Sequence, residues 1–316
     1  MMFLDWDYAD PMPWTPSLDP ACSQPFLPRS LSEAVKAGEI SEVPVMFGLC
    51  AEDGLILSAH FYRTEERWRL LRSDWQSWAP LVLFGRERDL TRQEDKEAAR
   101  DIGSFYFGAQ TDIASLPSEE ETLRQLTRMY SMSYFHSATD HDARVLAQAG
   151  HQVHVMILNH PPAFSLVELF RLNMAQLVWM FTARSMGYNP YPQVYGTCHS
   201  DDIQYLFPMD PPGFPAAVVT EDQKRVQQNL LDLVCSYAST GQPSVRGLEG
   251  GVAQPLQPES GISNYLRVDT TCSQEEDQDL QEELGFWRSV REKANMDDWN
   301  ASTQLPTAFY DKIAIY

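Results

Sequence analysis

The sequence predicts an α/β protein in which a mostly parallel sheet is flanked by helices. Short continuous apolar runs recur at Val43-Pro-Val-Met-Phe-Gly48, Val153-His-Val-Met-Ile-Leu158 and Asn264-Tyr-Leu-Arg-Val268. Long stretches of helical periodicity lie between them, and strands separated by helices pair in parallel with both faces covered. At 316 residues and 43% hydrophobic content the chain can fill one large domain or two smaller ones.

The elements follow in chain order. Pro11, Pro13, Pro16, Pro20, Pro25 and Pro28 bar both a regular helix and a central strand, so residues 1–31 should follow an extended surface path. Ser32 is placed to cap a helix over Glu33-Ala-Val-Lys-Ala37, closed by Gly38. The 43–48 run then reads as a buried parallel strand emptying into a loop at residues 48–54. From 55 to 149 charged residues alternate with Trp68, Leu71, Trp75, Trp78, Ile102, Tyr106, Leu123, Leu126 and Tyr130 in a helical pattern.

The 153–158 strand is bounded by Gly150 and Pro161-Pro162, and a long apolar helix is predicted over 166–186. That helix and the aromatic-rich segment 68–78 could line a hydrophobic gorge, although both read more simply as core. An amphipathic helix over 221–240 ends at Gly241 and Pro243. After the 264–268 strand, Ser273-Gln-Glu-Glu-Asp-Gln-Asp279 reads as a solvated loop and helix start, with a final helix around 280–293.

Composition excludes several classes. With 24 basic against 44 acidic residues the net charge is -20, which repels phosphate backbones and anionic membrane surfaces. Nucleic acid is therefore not an expected partner. The most apolar window, residues 166–181, carries Glu168 and Arg171 and is too short and polar to span a bilayer. Residues 1–10 hold acids where a secretory signal needs a basic start.

Cys22, Cys50, Cys198, Cys235 and Cys272 are widely spaced without a CxxC pair, leaving room for one or two disulfides and at least one unpaired thiol. His151 and His154 project to opposite strand faces, and neither they nor His160 stand at a metal-ligand spacing, so no metal or other cofactor is expected. His136 and His141 read as surface or helix-end residues. Asn300-Ala-Ser302 is a glycosylation sequon and nudges the compartment toward the extracellular side.

Two positions carry chemistry. Asp53 stands in a glycine-flanked loop just past a strand end, where open α/β sheets place functional groups. His199, in Gly196-Thr-Cys-His-Ser-Asp-Asp-Ile-Gln-Tyr-Leu-Phe207, lies well downstream, and acid before histidine is the order of an α/β-hydrolase triad. In that arrangement the carboxylate holds the imidazole in one tautomer while the far ring nitrogen takes the serine proton.

The chain resembles the C-terminal half of a type-B carboxylesterase, the cholinesterase-like branch of the α/β-hydrolases, and is most similar to arthropod members. The resemblance rests on Trp14-Thr-Pro-Ser-Leu-Asp19 with Phe26-Leu-Pro28, on Val43 to Gly54, on His160-Pro-Pro-Ala-Phe-Ser-Leu166, on the His199 segment, and on Thr240-Gly-Gln-Pro243 and Phe286-Trp287. It implies the C-terminal part of an α/β-hydrolase fold, with Asp53 as the acid, where many members carry Glu, and His199 as the base. The resemblance further implies a small-molecule carboxylic ester substrate and an extracellular setting.

The family's serine elbow and oxyanion loop lie upstream of the proline-rich segment, and no Gly-x-Ser-x-Gly occurs in this sequence. Cys50 does not replace the serine, because Gly48-Leu-Cys-Ala-Glu52 lacks the second glycine. The expected organisation is thus one partial domain, with a proline-rich approach over 1–31, a sheet-and-helix body over 32–299 and a tail over 300–316. It would be inactive alone and would pair with an N-terminal half. A non-catalytic adhesion or interaction protein on the same fold is the alternative, though such relatives commonly lose triad residues.

Overall fold

The computed structural model describes residues 18–62, 93–108, 118–172, 174–190, 195–207 and 216–294. Trp68, Leu71, Trp75, Trp78, the sequon at Asn300 and the tail lie outside these residues.

A four-stranded sheet organises them in the order β1-β2-β3-β4. Strand β1 (Val45–Cys50) pairs in parallel with β2 (Val153–Leu158), with Val45 opposite Val153 and Cys50 opposite Leu158. Strand β3 (Asn264–Val268) joins β2 in parallel, and β4 (Ser273–Glu276) closes antiparallel on β3. The predicted strands at 153–158 and 264–268 stand as expected, and the first is displaced by two residues toward its acid loop.

Strand β4 corrects the reading of the acidic run as a solvated loop. Its Ser-Gln-Glu-Glu sequence needs no apolar side chain, because an edge strand is held by backbone pairing, and its glutamates guard an edge that would otherwise template aggregation. The helix start predicted in the same run is present: the Leu280 backbone N–H donates to the Asp277 carboxylate at 2.9 Å.

Helices cover both faces of the sheet, as alternation along β2 demands. Val153, Val155 and Ile157 enter a core with Ile102 of α3 (Gln93–Phe107), Leu126 and Met129 of α4 (Glu119–Tyr130), Leu146 of α5 (Ser137–Gln148) and Trp287 of α10 (Gln278–Ala294). Met156 and Leu158, with Leu266 and Val268, face Val226, Leu230 and Leu233 of α9 (Glu221–Thr240). A capping box of Thr220 and Gln223 starts α9, and Gly241 ends it in the left-handed region at φ 73°. Leu230 is fully buried, which stabilises the fold by about 2–3 kcal/mol.

Trp287 is also fully buried, and its indole N–H donates to the Tyr106 hydroxyl at 2.8 Å. Tyr106 in turn donates to Glu283, whose other oxygen accepts from Arg128 at 2.7 Å. The one charged carboxylate of this buried chain is thereby paired.

Two helix expectations change. Helix α1 (Leu31–Lys36) is capped by Ser30 and not Ser32, because Ser30 and Glu33 form the reciprocal capping box while the Ser32 hydroxyl lies 3.3 Å from His141 Nε2. The apolar helix at 166–186 is two helices, α6 (Val167–Arg171) and α7 (Met174–Ser185), divided by the extended residue Leu172. Leu172, Leu177 and Met180 pack with Phe164, whereas Val178 and Trp179 of α7 are exposed.

Candidate active site

The acid turn begins where β1 runs out. Past Cys50 the chain bends, and the Cys50 backbone N–H donates to Asp53 Oδ2 at 3.0 Å, which folds the Asp53 carboxylate back under the strand end. Gly54 then opens a short helix, α2 (Leu55–Ser58), that continues as a 3-10 turn over Ala59–Tyr62. A Cβ at Gly54 would collide with the Thr127 carbonyl oxygen and the Ser131 nitrogen, so only glycine lets the turn lie against α4. Gly54→Ala is expected to destabilise the fold by about 2 kcal/mol through overpacking, measured as a lower urea midpoint at unchanged slope.

The His199 loop is zipped to this turn. Glu52 donates its backbone N–H to the Thr197 carbonyl at 3.1 Å, and the Thr197 N–H donates to the Glu52 carboxylate at 2.7 Å. Gly196, at φ 130°, lies directly under that carboxylate, where an added Cβ would sit 2.7 Å from the Glu52 carboxyl carbon. The adjacent acids thus divide the work: Glu52 holds the loop backbone, and Asp53 meets its histidine.

The structure brings Asp53 and His199 together across 146 residues of sequence, with His199 Nδ1 at 2.9 Å from Asp53 Oδ1. Asp53 is almost wholly buried, while the His199 side chain is 41% exposed, so one end of the pair is dry and the other open. The Phe135 ring lies 4.5 Å from the imidazole at 32° and limits its rotation. Burial pushes the Asp53 carboxyl up, but the hydrogen bonds and charges of His136 and His199 outweigh it and hold it below the ordinary carboxylate range.

A second buried carboxylate shapes the loop from beneath. Asp201 accepts from the Leu166 N–H and Gln204 Nε2 on one oxygen, and from the Ser165 hydroxyl and Cys198 N–H on the other, at 2.7–2.9 Å. Burial pushes its carboxyl up to about 7 against the pull of those donors. Ser200, between His199 and helix α8 (Asp201–Leu206), adopts φ 70°, a left-handed conformation that is uncommon outside glycine.

The other sequence candidates fall as follows. Cys50 is buried, and desolvation first and Asp53 second raise its thiol well above the ordinary value, so it is a neutral small core residue. All five cysteines are free, so the disulfides allowed by the sequence are not formed. His160 Nδ1 pairs with Asp269 at 3.0 Å, and His154 is buried inside β2.

His136 stands at a helix end as read, but it is not the surface residue the sequence suggests. It is 5% exposed and closes a π-helical segment, Ser131–His136, between α4 and α5. Its Nε2 stands 3.2 Å from the Cys50 carbonyl oxygen and 3.4 Å from Asp53 Oδ2. No residue pattern marks this role, because Ser-Met-Ser-Tyr-Phe-His reads as ordinary helix. A cleft of about 580 Å³ beside the turn is lined by His136, Glu52 and Arg128 but by neither Asp53 nor His199.

A largely parallel sheet with helices on both faces is the architecture of the C-terminal part of an α/β-hydrolase fold. The chain belongs to the carboxylesterase family, whose profile matches residues 2–287. It is similar to a carboxylic ester hydrolase of Bombus ignitus, 24% identical over 256 residues that make up 81% of this chain and 41% of that protein. Venom carboxylesterase-6 of Apis mellifera is 20% identical over 266 residues, 84% of this chain and 42% of its own length. The solved juvenile hormone esterase of Manduca sexta, with OTFP covalently attached, shares the fold with a TM-score of 0.57 at 12% identity, over 84% of this chain and 44% of that one. The chain therefore spans about two fifths of the length of the curated relatives it matches.

Proposed function

We propose that Asp53 and His199 are the acid and base of a serine-esterase triad, and that these 316 residues are one partial carboxylesterase domain. The observation that carries this reading is the 2.9 Å contact between His199 Nδ1 and the buried Asp53 carboxylate. A carboxylate so placed fixes the proton on Nδ1 and leaves Nε2 to accept a serine proton and return it to the leaving alcohol. The reaction is hydrolysis of a carboxylic ester through an acyl-serine intermediate, in concert with a serine elbow and oxyanion donors carried outside this sequence.

It follows that this chain alone turns over no ester. Incubated with a chromogenic ester and a fluorophosphonate probe, it is expected to show neither saturable hydrolysis nor covalent labelling, and saturable turnover with labelling would overturn this. A longer product of the gene carrying a Gly-x-Ser-x-Gly elbow is expected to be labelled at that serine. An altered elbow, or an intact one left unlabelled, would favour the non-catalytic adhesion reading.

A further inference from the structure

We infer that His136 is a positioning residue for the proposed acid, holding the Asp53 carboxylate so that its other oxygen meets His199. This rests on the ester-hydrolase reading of the pair and deepens it. Among the described residues His136 Nε2 faces two acceptors, hydrogen-bonding the Cys50 carbonyl oxygen at 3.2 Å and standing 3.4 Å from Asp53 Oδ2, so this nitrogen carries a proton and turns its positive edge to that carboxylate oxygen. Together with the Cys50 N–H, which donates to Oδ2 at 3.0 Å, it sets two N–H groups against that oxygen and leaves Oδ1 for His199.

Two N–H groups on one oxygen and one on the other pin the carboxylate plane, which a single bond would leave free to turn. The π-helical register puts His136 on this carboxylate and its neighbour Phe135 on the His199 ring, so a single turn of backbone braces both members of the pair. Insertions of this type into α-helices recur at functional sites.

The test is imidazole 15N NMR on the full chain at about pH 8.5, where free histidine is neutral. In the wild type His199 is expected as the Nδ1-protonated tautomer and His136 as the Nε2-protonated one. D53N is expected to move the ring resonances of both histidines, and movement of His199 alone would overturn the inference. H136F, which keeps the ring but removes the donor, is expected to lower the Nδ1-protonated fraction of His199 roughly two-fold or more, with H136Q restoring it. An unchanged His199 in folded H136F would also overturn it. If H136F does not fold, D53N decides, because it leaves the π-helical segment untouched. None of these readouts needs turnover: a failed ester assay leaves them standing, and failed ring shifts leave the ester assay standing.

Discussion

Asparagine in place of Asp53 is expected to lower kcat by about 10⁴-fold in any product that brings a serine elbow to this chain, with KM nearly unchanged. The surroundings decide how the new amide sits. Oδ2 receives the Cys50 N–H at 3.0 Å and faces His136 Nε2 at 3.4 Å, so an amide NH2 placed there would confront two donors. The amide oxygen therefore takes that side and the NH2 turns toward His199. To accept from it, His199 must leave Nδ1 bare and carry its proton on Nε2, the nitrogen that should receive the serine proton. The fold is kept and the base is in the wrong tautomer. Steady-state kinetics on a chromogenic ester would check this, and a loss of less than about ten-fold would show that Asp53 does not set the tautomer.

Much of this arrangement was legible in the sequence because it is written in residue types. The strands at 153–158 and 264–268 are apolar runs with clear stops, and Asp53 and His199 stand in triad order. What was hidden depends on partners far along the chain. His136 acts on a carbonyl 86 residues away through a helical register that no side chain announces. Strand β4 exists because β3 offers it a backbone edge, and its own residues look like loop. The Ser30 cap, by contrast, was available in the Ser-x-x-Glu spacing to Glu33.

The second large effect concerns stability and carries a pH signature. Asp201→Ala is expected to cost about 4 kcal/mol near pH 5, because it strands the buried N–H of Cys198 and the part-buried N–H of Leu166 at about 1–3 kcal/mol each and adds a small cavity. Ser165 and Gln204 can turn to other partners; the backbone donors cannot. The folded carboxyl titrates at about 7 against an ordinary 3.8, so between those values the folded state holds a proton that the unfolded chain has released. Its contribution is greatest below pH 4 and declines as pH rises through 7. The alanine variant lacks this dependence. The gap between wild type and variant should thus shrink by about 2–3 kcal/mol from pH 5 to pH 8. Urea denaturation of both proteins at the two pH values measures it, and a gap that stayed constant from pH 5 to pH 8 would mean that the four donors hold Asp201 ionised throughout. Faster amide exchange at residues 196–206 of the variant would tie the loss to the His199 loop, since the Cys198 N–H beside His199 donates to this carboxylate.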